Sequence, residues 1–352
     1  MDTVEKPEAH LIPALPDNFF DGRDEMNFAE FPLGTMTERV DPTAKTLVFQ
    51  DEIFDKSQNM PVKRTLTITS SDAHGLPTSV DDEVLLGLIQ LSKLNKFQSR
   101  KVYFSRYQLL KLLRWPFSGQ SYARIDQALN RWIGVTLYYD NAWRDKTVNK
   151  WVSEKFHVLD NVKVYQEKTP NPSKDDSDRD PEIGASYFIW NETVFRSFEH
   201  GNIKALDYDF VLGLQSTIGR RLYRFLDKRF YHTARYEISL KTLACEHVGL
   251  SRNTALGDLK RKLGIAIEEL ERKGFLKLLS KDQRFRKIRP GEWMVIFEKG
   301  VSATNHSSLP APMPCEEPTS IEQKLIACGI KPQKAKELAG KFDASFIDQQ
   351  IS

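Results

Sequence analysis

The 352 residues, 40% hydrophobic and 28% charged, leave room for two domains with their own cores and smaller appendages. The scattered cysteines Cys245, Cys315 and Cys328 exclude a disulfide framework, and no apolar run approaches the roughly 20 residues of a membrane span. A net charge of +3 hides an asymmetry: residues 1–60 hold 13 Asp/Glu against 5 Lys/Arg, whereas 219–289 hold 19 basic against 8 acidic side chains and 100–155 hold 11 against 4.

Residues 1–65 read as an acidic arm. Its start, Met1-Asp2-Thr3-Val4-Glu5-Lys6, lacks the basic and apolar regions of a signal peptide, so a cytoplasmic protein is expected. The segment 23–33 mixes apolar and charged residues as a docking strip would. Through Met26, Phe28, Phe31 and Leu33 it is a candidate for self-association, or for shielding the basic regions behind it. Segments 46–49 and 64–69 alternate as strands do.

A first domain is expected over 66–200. Thr78/Asp81 and Ser79/Asp82 each fit a capping box, and Val84, Leu88, Leu91 and Leu94 follow at helical spacing. A strand at 101–104 leads to a helix from Ser105 through Arg114, which Trp115-Pro116 stops. The turn Phe117-Ser118-Gly119 releases a helix over 120–133. Residues 135–141 with 156–165 read as a hairpin, and 166–185 as a flexible insertion.

A second domain over 201–300 repeats this order. A long helix spans 210–230, a second 239–247 and a third 254–273, with a turn at 249–253. Gly274 ends the third helix, and strands at 275–279 and 293–297 flank a basic tip at 281–289. The copies, 79–166 and 209–299, align at Tyr103-Phe104-Ser105 and Glu237-Ile238-Ser239, 134 positions apart. That order of elements describes a winged helix, a helix-turn-helix variant closed by a β-hairpin. The expected fold class is therefore α+β: two tandem winged helices, an N-terminal arm, and a linker with a small helical tail over 301–352.

Winged helices with basic surfaces point to duplex DNA. In the helix 120–133, Tyr122, Ile125, Leu129 and Trp132 form the core stripe. Gln120, Arg124, Gln127 and Arg131 form another, of side chains suited to guanine and adenine edges. Ser118, Gly119 and Ser121 would let a phosphate approach its N-terminus. In the helix 254–273 basic residues fill the first half and Glu268, Glu269 and Glu271 the second, so only the first half suits a groove. The expected contacts there are Ser251, Arg252, Asn253, Lys260 and Arg261. Lys281, Arg284, Arg286, Lys287 and Arg289 on the wing suit phosphates.

Other chemistries lack their residues. There is no GxxxxGK[ST], and the histidines never approach the paired spacing of rolling-circle nucleases. Asp207-Tyr208-Asp209 resembles a two-metal carboxylate pair but precedes a long helix, where Asp209 reads as an N-cap. The aspartate-rich run 174–180 lacks the Gly and terminal Glu of a calcium loop. No catalytic residue, metal or cofactor is expected.

Three strings carry a family resemblance over residues 20–298. They are Arg23-Asp24-Glu25-Met26-Asn27-Phe28-Ala29-Glu30-Phe31-Pro32-Leu33, Gly75-Leu76-Pro77-Thr78-Ser79-Val80-Asp81-Asp82-Glu83-Val84-Leu85-Leu86, and Arg220-Arg221-Leu222-Tyr223-Arg224-Phe225-Leu226-Asp227. They resemble the plasmid replication initiator protein A family. The resemblance implies a bacterial, sequence-specific initiator of theta-type plasmid replication. Such a protein would bind repeated origin sites, help open an adjacent AT-rich duplex and assist loading of the host replicative helicase. The alternative is a transcriptional repressor with two winged helices, whose targets could include its own promoter.

Overall fold

The computed structural model describes residues 12–13, 15–16, 19–36, 43–55, 59–165 and 185–301. The chain divides into two compact units, 1–307 and 308–352. The expected insertion, linker and helical tail lie almost wholly outside the described residues. The rest is a mixed α/β structure in which every strand pairing is antiparallel.

Three strands open the chain: β1 (Asp21–Glu25), β2 (Thr46–Asp55) and β3 (Met60–Thr69). Helix α1 (Ser79–Leu94) follows, with Thr78 at its N-cap. The Asp81 carboxylate accepts from the Thr78 backbone N–H at 2.7 Å, as the capping box predicts. Next come β4 (Lys101–Phe104), α2 (Arg106–Leu113) and α3 (Gly119–Gly134). Ser105 caps α2 by accepting from Gln108 N–H at 3.0 Å, and Arg114 ends it in the left-handed region at φ 56°. Ser118 caps α3. Ile125, Ala128, Leu129 and Trp132 bury its inner stripe, and the Trp132 indole donates to the Asp81 carbonyl at 2.8 Å.

After α3 the chain departs from expectation. Strands β5 (Thr136–Asp145) and β6 (Lys150–His157) pair as a hairpin, but β5 also pairs with β3, giving a four-stranded sheet in the order β2-β3-β5-β6. Leu137 faces Ile68 and Tyr139 faces Leu66 across β3 and β5. Alternation at 135–141 marks a strand but does not name its neighbour, and β3 presents a matching apolar face. The small sheet beside α1–α3 is instead built from β7 (Leu159–Lys163) and β8 (Ser186–Trp190), with β8 between β4 and β7.

Helix α4 (Glu192–Glu199) and β9 (Ile203–Asp207) lead into the segment expected as the second copy. Its first helix is broken into α5 (Tyr208–Gly213) and α6 (Thr217–Phe230). Asp207, not Asp209, caps α5 by accepting from Phe210 N–H at 2.9 Å. Leu214 is extended at the break and Ser216 caps α6. The Glu269 carboxylate fixes this corner by accepting from the N–H groups of Gln215 (2.8 Å) and Ser216 (3.2 Å). Apolar periodicity runs unbroken across the corner, which hid it from a pattern reading.

Strand β10 (Arg235–Ser239) leads to α7 (Leu240–Thr242), which continues as a π-helical turn over Leu243–Val248. Gly249, at φ 90°, releases the turn before α8 (Leu256–Arg272). The short α9 (Lys281–Arg284) and strands β11 (Phe285–Arg289) and β12 (Glu292–Glu298) close the copy. The first hairpin strand is thus 285–289 rather than 275–279. Phe275 is packed among Phe210, Tyr223 and Phe230 instead, and Leu276 forms only an isolated bridge to Lys299. This sheet runs β10-β12-β11, the same topology as β4-β8-β7.

The docking strip is docked on its own chain. Strand β1 pairs with β9, and Phe28, Phe31 and Leu33 are buried in the core, while Met26 is partly covered. Self-association through these side chains is therefore withdrawn. The acids of the arm meet the bases of α6. Asp24 binds Arg224, which also reaches Asp82, and Glu30 binds Arg64, Lys228 and Arg229. The Arg221 guanidinium donates to three carbonyls, Phe28 (2.9 Å), Ala29 (3.0 Å) and His247 (2.8 Å). Two of the arm's acids, Asp24 and Glu30, are thus paired with three cations of α6 inside the fold.

Candidate nucleic-acid interface

Helix α3 presents Gln120, Arg124 and Gln127 to solvent on one face, with Asn130 one turn further along it. Asn130 was not expected, although steps of 4, 3 and 3 from Gln120 place it there. Arg131 does not belong to the free stripe. Its guanidinium binds the buried Asp81 carboxylate at 2.9 and 3.1 Å and the His74 carbonyl at 3.0 Å, tying α3 to the start of α1. Ser121 is also withdrawn as a phosphate contact. It is only 3% exposed, and its hydroxyl lies 3.0 Å from that of Ser118. Ser118 is exposed but already serves as the N-cap.

In the second copy Ser251, Asn253 and Arg261 are exposed, with Arg261 3.4 Å from Asp258 on its own helix. Lys260 is partly covered, its ammonium 3.7 Å from the centre of the Trp293 ring on β12 and 4.8 Å from that of Phe285. The interaction aims α8 at the hairpin. Arg252 reaches back: it binds Glu246 at 3.0 and 2.6 Å and the Val48 carbonyl of β2 at 2.7 Å. Its hydrogen bonds to Glu246 hold its pKa above the ordinary arginine value. Glu246 also accepts from the Gln50 N–H at 2.8 Å, so this pair satisfies two of the outward groups on the edge of β2, the Gln50 N–H and the Val48 carbonyl.

Lys281 at the start of α9 and Arg286, Lys287 and Arg289 on the hairpin are exposed; Arg286 pairs with Glu237 and Arg289 with Glu292. Arg284 is 2% exposed and cannot reach a phosphate. It binds Glu271 and the carbonyls of Lys277 and Ile296, and so joins α9 to the inner side of α8 and β12. In sequence it is one cation among five; only its register places it inside.

Among the described residues, Glu30, Asp51 and His247 form the one grouping with metal-ligand spacing. Arg64 binds both carboxylates there, and Lys228 and Arg229 bind Glu30. A metal ion would face three cations, so the cluster is an internal ion network. Burial pushes the His247 imidazole down to about 4 despite these acids, leaving it neutral near pH 7. It lies between the Phe31 and Phe225 rings, with centroids 5.5 and 4.4 Å away.

The model of the family described as replication initiator protein A matches residues 23–262. No curated protein matches the sequence. Among solved structures, a selenomethionine crystal structure of RctB domains 2 and 3 is similar at 16% identity, with a TM-score of 0.47, covering 78% of this chain and 98% of that one. A further structure of RctB domains 2–3 covers 75% and 95%, at 16% identity and a TM-score of 0.42. The Pi initiator protein in complex with iteron DNA covers 63% and 91%, at 13% identity and a TM-score of 0.38. Among the described residues, no helix is long and apolar enough to cross a membrane.

Proposed function

The chain belongs to the replication initiator protein A family, and from that premise we propose that it is a non-enzymatic, sequence-specific binder of duplex origin DNA built on two tandem winged helices. The domain limits proposed are the first copy within 66–200 and the second within 201–300. Of the arm, 1–65, the described residues Phe28, Phe31 and Leu33 pack into their shared core. The observation that carries the reading is the exposed row Gln120, Arg124, Gln127 and Asn130 on the third helix of the first copy. Their donors and acceptors match base edges in the major groove, and their helix stands where a helix-turn-helix protein places its recognition helix. The second copy supports it through the repeated sheet order β10-β12-β11 and through exposed Ser251, Asn253 and Arg261 beside the basic hairpin.

Bound at repeated origin sites, the protein would help open an AT-rich duplex, help load the host replicative helicase, and act in the bacterial cytoplasm. Self-association remains part of this reading, through surfaces other than Phe28, Phe31 and Leu33. Hydroxyl-radical footprinting on a site selected from randomised DNA tests the core of it. One chain should protect about 20 base pairs, with two unlike contact blocks roughly 34–36 Å apart. A palindromic footprint with equivalent half-sites, needing two chains, would favour a symmetric repressor.

A further inference from the structure

The turn that feeds α3 carries an apolar feature that the fold does not use. Phe117 is 57% exposed and Tyr107, on α2, is 51% exposed. Their rings stack on each other, centroids 4.8 Å apart and planes 15° from parallel. Phe117 directly precedes Ser118, the N-cap of α3, so it stands at the leading end of the helix that carries Gln120, Arg124 and Gln127. Exposed apolar side chains are ordinary when scattered, but a rigid stacked pair at a helix entrance is held in place rather than left loose. The pair is too small to seat a protein partner, which needs a contiguous patch of several hundred Å².

We propose that Phe117, braced by Tyr107, is a specificity-determining residue that packs on the C5-methyl group of a thymine in the major groove. The proposal rests on the reading of α3 as a recognition helix. Every other exposed side chain named on that helix reads by hydrogen bonds. The C5-methyl of thymine is the one apolar mark that a base pair shows in the major groove, and phenylalanine is among the side chains that meet it. Recognition-helix contacts to base edges come from N-terminal residues, which is where Phe117 stands. Stacking on Tyr107 fixes the ring before DNA arrives, so little side-chain freedom is lost on binding.

The test uses the full chain and its selected duplex, alongside duplexes in which each thymine of the first-copy block is replaced singly by uracil. Removing one contacted methyl should weaken the natural protein about fourfold at one position. Phe117→Ala should bind the thymine and uracil duplexes alike, and Phe117→Leu, which keeps an apolar contact, should retain part of the discrimination. Three outcomes overturn the proposal. In the first, the natural protein ignores uracil at every position, or Phe117→Ala still senses it. In the second, Phe117→Ala weakens selected and random duplexes equally, which places the ring on the sugar-phosphate backbone. In the third, it leaves all DNA binding intact while a minimal replicon is lost from cells, which assigns the ring to a protein partner. Arg124→Ala separates this proposal from its premise. If it relaxes base preference while Phe117→Ala does not, α3 still reads DNA and only the methyl contact falls.

Discussion

The guanidinium of Arg224 grips both carboxylate oxygens of Asp24, 200 residues earlier, at 2.8 and 2.9 Å with both side chains buried. Burial is the largest influence and pushes the Asp24 carboxyl up, but Arg224, joined by Lys204 and Arg221, holds the pKa below the ordinary aspartate value. Breaking this pair leaves the buried Arg224 with Asp82 as its remaining carboxylate partner and empties the buried site of Asp24. Asp24→Ala should therefore destabilise the chain by about 3–5 kcal/mol, measured by urea unfolding. A loss within the range of an exposed pair, under about 1 kcal/mol, would show that the pair is not what joins the arm to α6.

Arg124 and Arg131 lie two turns apart on α3 and should behave oppositely. Arg124→Ala should cost about 1–3 kcal/mol on the selected site, spare random DNA and leave stability unchanged. Arg131→Ala should instead lower the unfolding midpoint, because the buried Asp81 at the start of α1 loses its cationic partner. Equal loss on both DNAs for Arg124→Ala would refute base reading.

Affinity should fall roughly 10³-fold or more between ~50 and ~200 mM salt if six or more phosphates are neutralised. Only exposed cations can release counterions. Lys287→Ala should reduce the salt slope by about 1 and weaken all sequences alike. Arg284→Ala should destabilise the hairpin while leaving the slope per folded molecule unchanged. A flat salt titration rejects the electrostatic account altogether.

His247 supplies a pH prediction. Burial lowers its folded-state pKa from 6.5 to about 4. Above pH 6.5 the imidazole is neutral in both states, and its contribution to stability is fully present. As pH falls from 6.5 toward 4 the unfolded chain takes up a proton that the folded chain refuses, so that contribution is lost, on the order of 2–3 kcal/mol. Glu25, whose carboxyl burial pushes up to about 7, acts in the opposite direction over much of this range. The comparison is therefore between the natural chain and His247→Gln at each pH. Their stabilities should converge as the solution is acidified, and parallel curves would exclude His247 as the source.

Most helices were legible because their signals are local. Ser105 and Ser118 announce their caps, and Ile125, Leu129 and Trp132 repeat at helical spacing. What stayed hidden depends on partners distant in sequence. Strand β5 looked like one arm of the small hairpin until β3 claimed its edge. Arg131, Arg252 and Arg284 looked like surface cations, yet each is engaged by a carboxylate: Asp81, Glu246 and Glu271. Composition counts charges without saying which of them face each other, so the arm's acids and the bases of α6 appeared as two opposed surfaces instead of one interior.

The pairing of Asp24 and Glu30 with α6 also sets an order of events during synthesis. The arm leaves the ribosome before α6; Arg64 follows Glu30 by 34 residues, but the counter-ions on α6 follow only after about 200. Until then Phe28, Phe31 and Leu33 have no completed core to enter, and the acids beside them must remain hydrated. Contacts this remote are slow to form and leave apolar surface open in the interim. Nascent chains stalled before residue 217 should therefore keep the arm accessible to protease, however well the first helices have formed.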